Sequence, residues 1–277
     1  MTPPTLTDRP ALARNRARAL RDPALFLHDE VAAEMQERLI EVNRTFTAPA
    51  VVTAFPQIWA ALWPQARIVA DDEVLDLAPG AHDLVIDALT LHWANDPVGQ
   101  LVQCRRALAP DGLFLGAAFG GQTLHELRTS LAAAEVAVTG GLSPRVLPMG
   151  EIRDLGGLLQ RAGFALPVAD SLTRQVSYRD AAHLMADLRA MGEANALAAR
   201  PRHPTRRSIL TETARRYADL HGTPDGRIPA TFEIIFLTGW APHSSQQQPL
   251  RPGSAVQSLA EALGAARVAP TETKLDG

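Results

Sequence analysis

Apolar spacings along the chain predict a strand–helix–strand unit over residues 82–121. Leu84–Ile86 is a short apolar run typical of a buried parallel strand. Residues 97–108 carry apolar side chains at helical spacing, and residues 113–119 form a second apolar run. Two parallel strands joined by a crossover helix form one right-handed unit. Ligands of such sheets lie beyond the carboxyl ends of the strands, so we expect functional residues there.

The same patterns predict the flanking elements. Residues 24–42 carry the apolar stripe of an amphipathic helix. Residues 50–55, 67–70 and 231–240 are apolar runs that predict three more strands. The spacing over 181–199 predicts a further helix. Strands that alternate with helices in this way indicate an α/β fold with a largely parallel sheet.

We predict three parts of the chain. Residues 1–45 form an N-terminal tail and amphipathic helix, 46–243 an α/β domain with a helical insertion at about 179–221, and 244–277 a tail. The segment 9–21 has five arginines and no acidic residue. We expect a solvated helix face there, with a targeting segment or a partner-binding helix as the alternatives.

Composition excludes several classes of function. The 277 residues are 46% hydrophobic and 21% charged, with a formal net charge of −3, which predicts a soluble α/β protein. This charge predicts no nucleic-acid partner, and no apolar run is long enough for a transmembrane segment. Cys104 is the only cysteine, so an internal disulfide and a thiolate metal cluster are excluded. The histidines lack metal-ligand spacing.

Glycine is missing where a nucleotide-binding fold needs it. In such folds the first strand leads into a glycine-rich turn, which lets the backbone approach the ligand at an open helix N-terminus. Here the first predicted strand leads into Ala54-Phe55-Pro56, and the first glycine of the chain is Gly80. We expect Phe55 to occupy the space that a cofactor would need.

Segments in the centre of the chain resemble a known superfamily. HDLVIDALTLHWANDP and LVQCRRALAPDGLFLGAAFGG are similar to the second half of class I S-adenosylmethionine-dependent methyltransferases. GGLSPRVLPMGEIRDLGGLLQRAGFALPVAD and IPATFEIIFLTGWAP resemble the complex I (NADH:ubiquinone oxidoreductase) assembly factor 5 family. A more distant resemblance is to the malonyl-carrier-protein methyltransferase of biotin synthesis.

The resemblance implies a Rossmann-like class I methyltransferase sheet, helices over the ligand rim and S-adenosylmethionine as cofactor. The family's first strand ends in an Asp-Leu-Gly-Cys-Gly-like loop, where this chain has Val52–Pro56. Its next strand ends in an acid that binds the ribose. Between Trp63 and Asp83 there are too few residues for that strand and its helix, so we expect one βα unit to be missing. Unpaired polar groups of the cofactor would cost about 1–3 kcal/mol each, so we do not expect strong binding.

Five residues are candidates for a remnant of the cofactor site. Asp71 and Asp72 follow the second predicted strand, and Leu89, His92 and Trp93 follow the third. The resemblance places the aspartates near the adenine and the other loop at the active-site rim. As alternatives, the aspartates are ordinary turn acids, and His92 and Trp93 are packing residues.

Three further residues are candidates for substrate or partner contact. Asp87 directly follows a strand, where its carboxylate could orient a substrate or cap a loop. Arg145 and Glu151 lie beside the substrate-side loop that the resemblance implies. The sequence identifies no catalytic residue and no metal site.

Three functions remain open. The first is a transferase that methylates a protein substrate or an acyl carrier, a reaction that needs alignment and desolvation more than acid–base groups. Eukaryotic relatives have instead been tied to arginine hydroxylation of a complex I subunit. The second is a pseudoenzyme, a non-catalytic assembly factor or scaffold that has lost cofactor binding. The third is a cofactor site that a partner chain completes.

The resemblance also implies a protein partner, namely a subunit of respiratory complex I. We expect a bacterial cytoplasmic location. A mitochondrial matrix location follows only if residues 9–21 are a transit segment, and the flanking Asp8 and Asp22 argue against one.

Overall fold

The computed structural model describes residues 5–246. The chain divides into a first unit, Met1–His243, and a second unit, Ser244–Gly277. All helices and strands named below belong to the first unit. The predicted tail, 244–277, lies outside the described residues from position 247 onward.

Six strands form one mixed sheet at the centre of the first unit. They are Pro49–Thr53 (β1), Arg67–Val69 (β2), His82–Ala88 (β3), Leu108–Gly120 (β4), Ala165–Tyr178 (β5) and Ile228–Trp240 (β6). Their spatial order is β2-β1-β3-β4-β6-β5. The first four strands pair in parallel, and β6 runs antiparallel between β4 and β5. The predicted α/β class is confirmed.

Eight helices accompany the sheet in residues 5–246. They are Arg9–Ala19 (α1), Phe26–Val42 (α2), Pro56–Leu62 (α3), Pro97–Ala107 (α4), His125–Thr139 (α5), Ile152–Arg161 (α6), Ala181–Ala190 (α7) and Arg207–His221 (α8). A short 3-10 turn, Leu91–Trp93, follows β3. α4 begins as its sequence predicts, because the Asp96 carboxylate accepts a hydrogen bond from the Gly99 N–H at 2.8 Å.

Side chains alternate between two apolar layers along the central strands. Val51 and Ile86 face one layer, to which α2, α5 and α7 contribute. Val52 and Val85 face the other layer, which α4 and α6 cover and which contains the buried thiol of Cys104. Successive residues of a strand point to opposite faces, so both faces of these strands are buried.

The sheet is short at the edge that β2 forms. β2 has three residues and pairs with β1 alone. The chain then passes from β2 to β3 through residues 70–81 without a helix. Parallel strands are ordinarily joined by a crossover that contains a helix. The predicted loss of one βα unit is therefore confirmed, and the carboxyl end of β2 lies directly beside that of β1.

Two helical predictions differ from the structure. The helix predicted over 181–199 ends at Ala190, because Gly192 adopts a left-handed conformation with a φ of 78°. An irregular segment, 191–206, follows it. The arginine-rich segment 9–21 is more than a solvated face, because Arg16 of α1 is buried.

Candidate functional site

The carboxyl ends of the four parallel strands define what we call the ligand face. It consists of residues 54–55 after β1, 71–72 after β2, 89–93 after β3 and 119–121 at the end of β4. α1 and the segment 191–206 pack on this face, because their side chains and backbone contact Phe55 and Asp71. In open α/β sheets this is the edge where ligands bind.

Phe55 fills the space beyond β1. Its side chain is 1% exposed, and its ring lies edge-on to His28 of α2 at a centroid distance of 4.8 Å. Gly192 closes the other side so tightly that a Cβ there would lie 3.2 Å from the Phe55 ring and 3.1 Å from Arg16 Cγ. Phe55 therefore occupies the space beyond β1, and two segments that are distant in the sequence hold it there.

Asp71 fills the space beyond β2 together with α1. Its carboxylate pairs with Arg16 Nη1 at 2.6 Å and with Arg9 Nη1 at 3.1 Å. The side chains of Asp71 and Arg16 are 6% and 9% exposed, so this ion pair is shielded from water. Asp8 caps α1 by accepting a hydrogen bond from the Ala11 N–H, which sets where the helix begins. The ion pair therefore fixes α1 on the ligand face.

His92 and Trp93 meet a glutamate that lies far away in the sequence. The carboxylate of Glu193 accepts a hydrogen bond from Trp93 Nε1 at 2.7 Å and lies 3.3 Å from His92 Nε2. The His92 ring also contacts Phe119, at a centroid distance of 5.0 Å. Burial raises the pKa of Glu193, but the charges and hydrogen bonds of His92, Arg16 and Trp93 outweigh it and lower that pKa overall.

A second imidazole lies in the same cluster without a hydrogen bond to its Nδ1. Burial is the main cause that lowers the pKa of His28 to about 4, with Glu193 opposing the shift and Arg16 adding to it. The Nδ1 atoms of His28 and His92, and Nε and Nη2 of Arg16, have no protein hydrogen-bond partner among the described residues. Such buried polar atoms ordinarily form hydrogen bonds with ordered water molecules.

Asp87 and Leu89 shape the loop after β3 from within. The Asp87 carboxylate accepts hydrogen bonds from Thr90 Oγ1 at 2.7 Å and from Gln100 Nε2 at 2.5 Å. Burial raises the pKa of Asp87 to about 6. Leu89 is buried with a φ of 57°, and its N–H donates to the Ala117 carbonyl. Asp87 thus holds this loop, and its role toward a substrate stays a prediction.

A cavity of about 560 Å³ opens on the substrate side of the ligand face. α5, α7, the loop 145–149 and the segment 193–205 form its walls. Trp93 and Phe119 lie where it meets the ligand face, and Phe232 of β6 and leucines of α5 line it further. Its volume is in the range of about 300–1,000 Å³ that small-molecule pockets occupy.

Arg145 lines this cavity, whereas Glu151 does not. Arg145 donates to Glu135 Oε1 at 2.6 Å and to Thr205 Oγ1 at 2.9 Å, so it ties the loop to α5 and to the segment before α8. This pairing lowers the pKa of Glu135. Glu151 is exposed just before α6. The roles of these residues toward a substrate or partner stay predictions.

Two clefts flank the Arg9–Asp71 ion pair. One of about 640 Å³ lies toward Thr53 and Pro56, and one of about 490 Å³ lies toward Asn95 and α4. The exposed Asp72 lines both. The two candidate aspartates therefore differ in their environments, because Asp71 is engaged in ion pairs and Asp72 faces solvent.

Two kinds of site are not found in residues 5–246. No group of three or more His, Cys, Asp or Glu side chains is placed to hold a metal ion. No helix of this part of the chain combines the length and the apolar character that crossing a bilayer requires.

The sequence did not single out three members of the buried cluster. Arg16 lay in a segment that predicted a solvated face, and nothing local marks one of its five arginines as buried. His28 and Glu193 lie in helical patterns about 165 positions apart. Asp71 was the one signal in the sequence that could have pointed to this cluster. An acidic residue that follows an apolar strand needs a cationic partner if the fold buries it.

The sheet order, the reversed β6 and the ligand face define a Rossmann-like class I methyltransferase fold. Residues 15–116 match the family described as "Methyltransferase domain". The chain is 33% identical over 211 residues to the malonyl-[acyl-carrier protein] O-methyltransferase of Halorhodospira halophila, which covers 76% of this chain and 70% of that protein. The chain belongs to the methyltransferase-domain family.

Two further similarities extend this result. The arginine-hydroxylase NDUFAF5, mitochondrial, of Danio rerio is 41% identical over 198 residues, which cover 72% of this chain and 61% of that protein. The chain thus spans about three fifths of the length of this relative. Among solved structures, the YcgJ protein of Bacillus subtilis has a TM-score of 0.43 and 10% identity, covering 71% of this chain and 92% of that chain. The predicted resemblance to both enzyme families is confirmed.

Proposed function

We propose that this chain is a non-catalytic member of its family that binds a protein partner, a subunit of respiratory complex I, during assembly. One observation carries the proposal: side chains of the chain itself fill the carboxyl ends of β1 and β2. Phe55 takes the position of the glycine loop, and the Arg16–Asp71 ion pair takes the position beside it. The partner class rests on the resemblance to the complex I assembly factor 5 family.

S-adenosylmethionine does not fit the residues at this position. A ligand beyond β1 would have to displace the Phe55 ring from between His28 and Gly192. An adenine at the end of β2 would have to displace two arginines from Asp71, and breaking a buried ion pair costs about 3–5 kcal/mol. These two conflicts support loss of cofactor binding, and no catalytic step is derived through the cofactor.

The substrate side supports retention of a ligand-binding function in addition to partner binding. The cavity beside Trp93 remains open, although the ends of β1 and β2 are filled. Arg145 is held by two hydrogen bonds that shape the cavity wall. The proposal keeps the predicted bacterial cytoplasmic location, whereas the Danio rerio relative is named as mitochondrial.

Titration calorimetry with S-adenosylhomocysteine tests the cofactor half of the proposal. We expect no heat and no change in melting temperature up to millimolar ligand. The Halorhodospira halophila relative, titrated under the same conditions, is the positive control. Micromolar affinity in this chain would overturn the non-catalytic assignment and reinstate methyl transfer.

Removal of the gene from the organism that encodes the chain tests the partner half. We expect less assembled complex I on a native gel, and full recovery when the wild-type chain is supplied. Normal complex I in the deletion strain would remove the proposed partner.

A further inference from the structure

The cavity beside Trp93 combines an apolar wall with a cationic rim. Fifteen of its 24 lining residues are apolar, and the charged ones are four arginines and a single carboxylate, Glu193. Glu193 is already bound by Trp93 and His92. No acidic group of the lining is therefore available to a cationic ligand.

Two of the four arginines are occupied and two are free. Arg145 pairs with Glu135, and Arg200 pairs with Asp8 at 2.9 Å. Arg18 donates only to the Arg14 carbonyl and Asn15 Oδ1 of its own helix. Arg189 has no carboxylate partner in residues 5–246.

The two free arginines are brought to the same rim by their helices. Arg18 lies in the last turn of α1 and Arg189 in the last turn of α7, and these two helices are in contact. Both side chains are exposed and both line the cavity. Together they provide two guanidinium groups, which is the arrangement that binds a carboxylate.

The apolar wall restricts what can lie inside. Phe119, Leu127, Leu131, Leu188 and Phe232 offer no hydrogen-bond partners to a buried polar group. A peptide backbone placed among them would leave its N–H and C=O groups unpaired, which is unfavourable. A hydrocarbon chain has no such groups. An arginine side chain is excluded for a second reason, because the rim already carries unpaired positive charge.

We propose that this cavity binds a long-chain fatty acid, with its carboxylate at Arg18 and Arg189 and its hydrocarbon chain along the apolar wall. The proposal goes beyond the binding of a protein partner and does not depend on whether S-adenosylmethionine binds.

Calorimetry with fatty acids below their micelle concentrations tests the proposal. Octanoate, decanoate and dodecanoate should bind about fourfold more tightly for each added methylene, since each buried CH₂ contributes a constant free energy. Dodecanol and dodecyltrimethylammonium have the same chain with a neutral or a positive head, and they should bind at least tenfold more weakly than dodecanoate.

Charge-reversal variants locate the head group. Arg18→Glu combined with Arg189→Glu should weaken dodecanoate binding about tenfold and leave dodecanol unchanged. Arg153→Glu, an equally exposed change on α6, is the matched control and should have no effect. Both sites are on the surface, so we expect all variants to remain folded, and a thermal melt verifies this.

Three results would overturn the proposal. They are affinity that does not depend on chain length, equal affinity for dodecanoate and dodecanol, and tighter binding of an acidic apolar peptide such as Glu-Leu-Phe-Leu-Glu than of dodecanoate. Since S-adenosylhomocysteine binding is measured separately, failure here leaves the proposed function standing.

Discussion

Replacing Asp71 by asparagine removes the only carboxylate that pairs with the buried Arg16 in the described residues. Asparagine has nearly the same shape, so packing is preserved and the charge alone is lost. The variant leaves the buried Arg16 without its ion-pair partner, and Arg9 keeps only its hydrogen bond to the backbone carbonyl of residue 71. We therefore expect Asp71→Asn to lower the free energy of unfolding.

The burial of the pair sets the size of the effect. Asp71 and Arg16 are 6% and 9% exposed, and removal of one member of such a pair costs about 3–5 kcal/mol. Arg9 is 22% exposed and can turn toward water, so it adds little. The amide oxygen of the introduced asparagine would still accept one hydrogen bond. We expect a loss of about 3 kcal/mol, at the lower end of that range.

Urea denaturation of Asp71→Asn beside Asp76→Asn gives a matched comparison. Asp76 also pairs with an arginine, Arg67, but the two side chains are 86% and 50% exposed. Asp76→Asn should cost less than about 1 kcal/mol. If Asp71→Asn lowers the free energy of unfolding no more than Asp76→Asn does, the ion pair does not fix α1. The proposal that side chains fill the end of β2 then loses its support.

Two further perturbations probe the same cluster. The unfolded state takes up a proton at His28 between pH 6.5 and 4 that the folded state does not, so the His28 contribution to stability is lost as pH falls, while Asp87 contributes with the opposite sign in both proteins. The loss is about 3 kcal/mol at pH 4. It should be absent from His28→Gln in urea titrations over this range; a parallel pH dependence of both proteins would contradict it. Gly192→Ala should cost about 1–3 kcal/mol more than Gly226→Ala, because both have a φ of 78° but only Gly192 has neighbours within 4 Å. Equal melting temperatures would show that Phe55 is loosely packed.

The parallel part of the sheet could be predicted because its signals are local. Leu84–Ile86 and residues 113–119 are apolar runs of strand length, and their parallel pairing follows from the crossover between them. The shortened edge followed from the resemblance, because the residues between Trp63 and Asp83 are too few for the family's additional strand and helix. Each of these inferences needs only neighbouring positions of the chain.

The buried cluster could not be predicted because its members come together only in the fold. Arg16, Glu193 and Asp71 belong to three separate segments, and each has an ordinary solvated interpretation by itself. Phe55 was the exception, because its place directly after the first predicted strand marks a bulky residue at the ligand face from the sequence alone. The structure identified the side chains and backbone that pack around it.

The Arg16–Asp71 ion pair positions α1 more than it stabilises the fold. A buried ion pair is often no more stabilising than apolar side chains of similar volume, because both charges lose their hydration. α1 already buries Leu12 and Ala19, so an apolar pair at 16 and 71 would hold it as well. Apolar contacts, however, tolerate sliding, whereas the contact of Arg16 Nη1 with Asp71 Oδ1 at 2.6 Å requires α1 to lie in a defined position. That position also places Arg18 at the rim of the cavity. The ion pair at the end of β2 therefore also sets the geometry of the cavity rim.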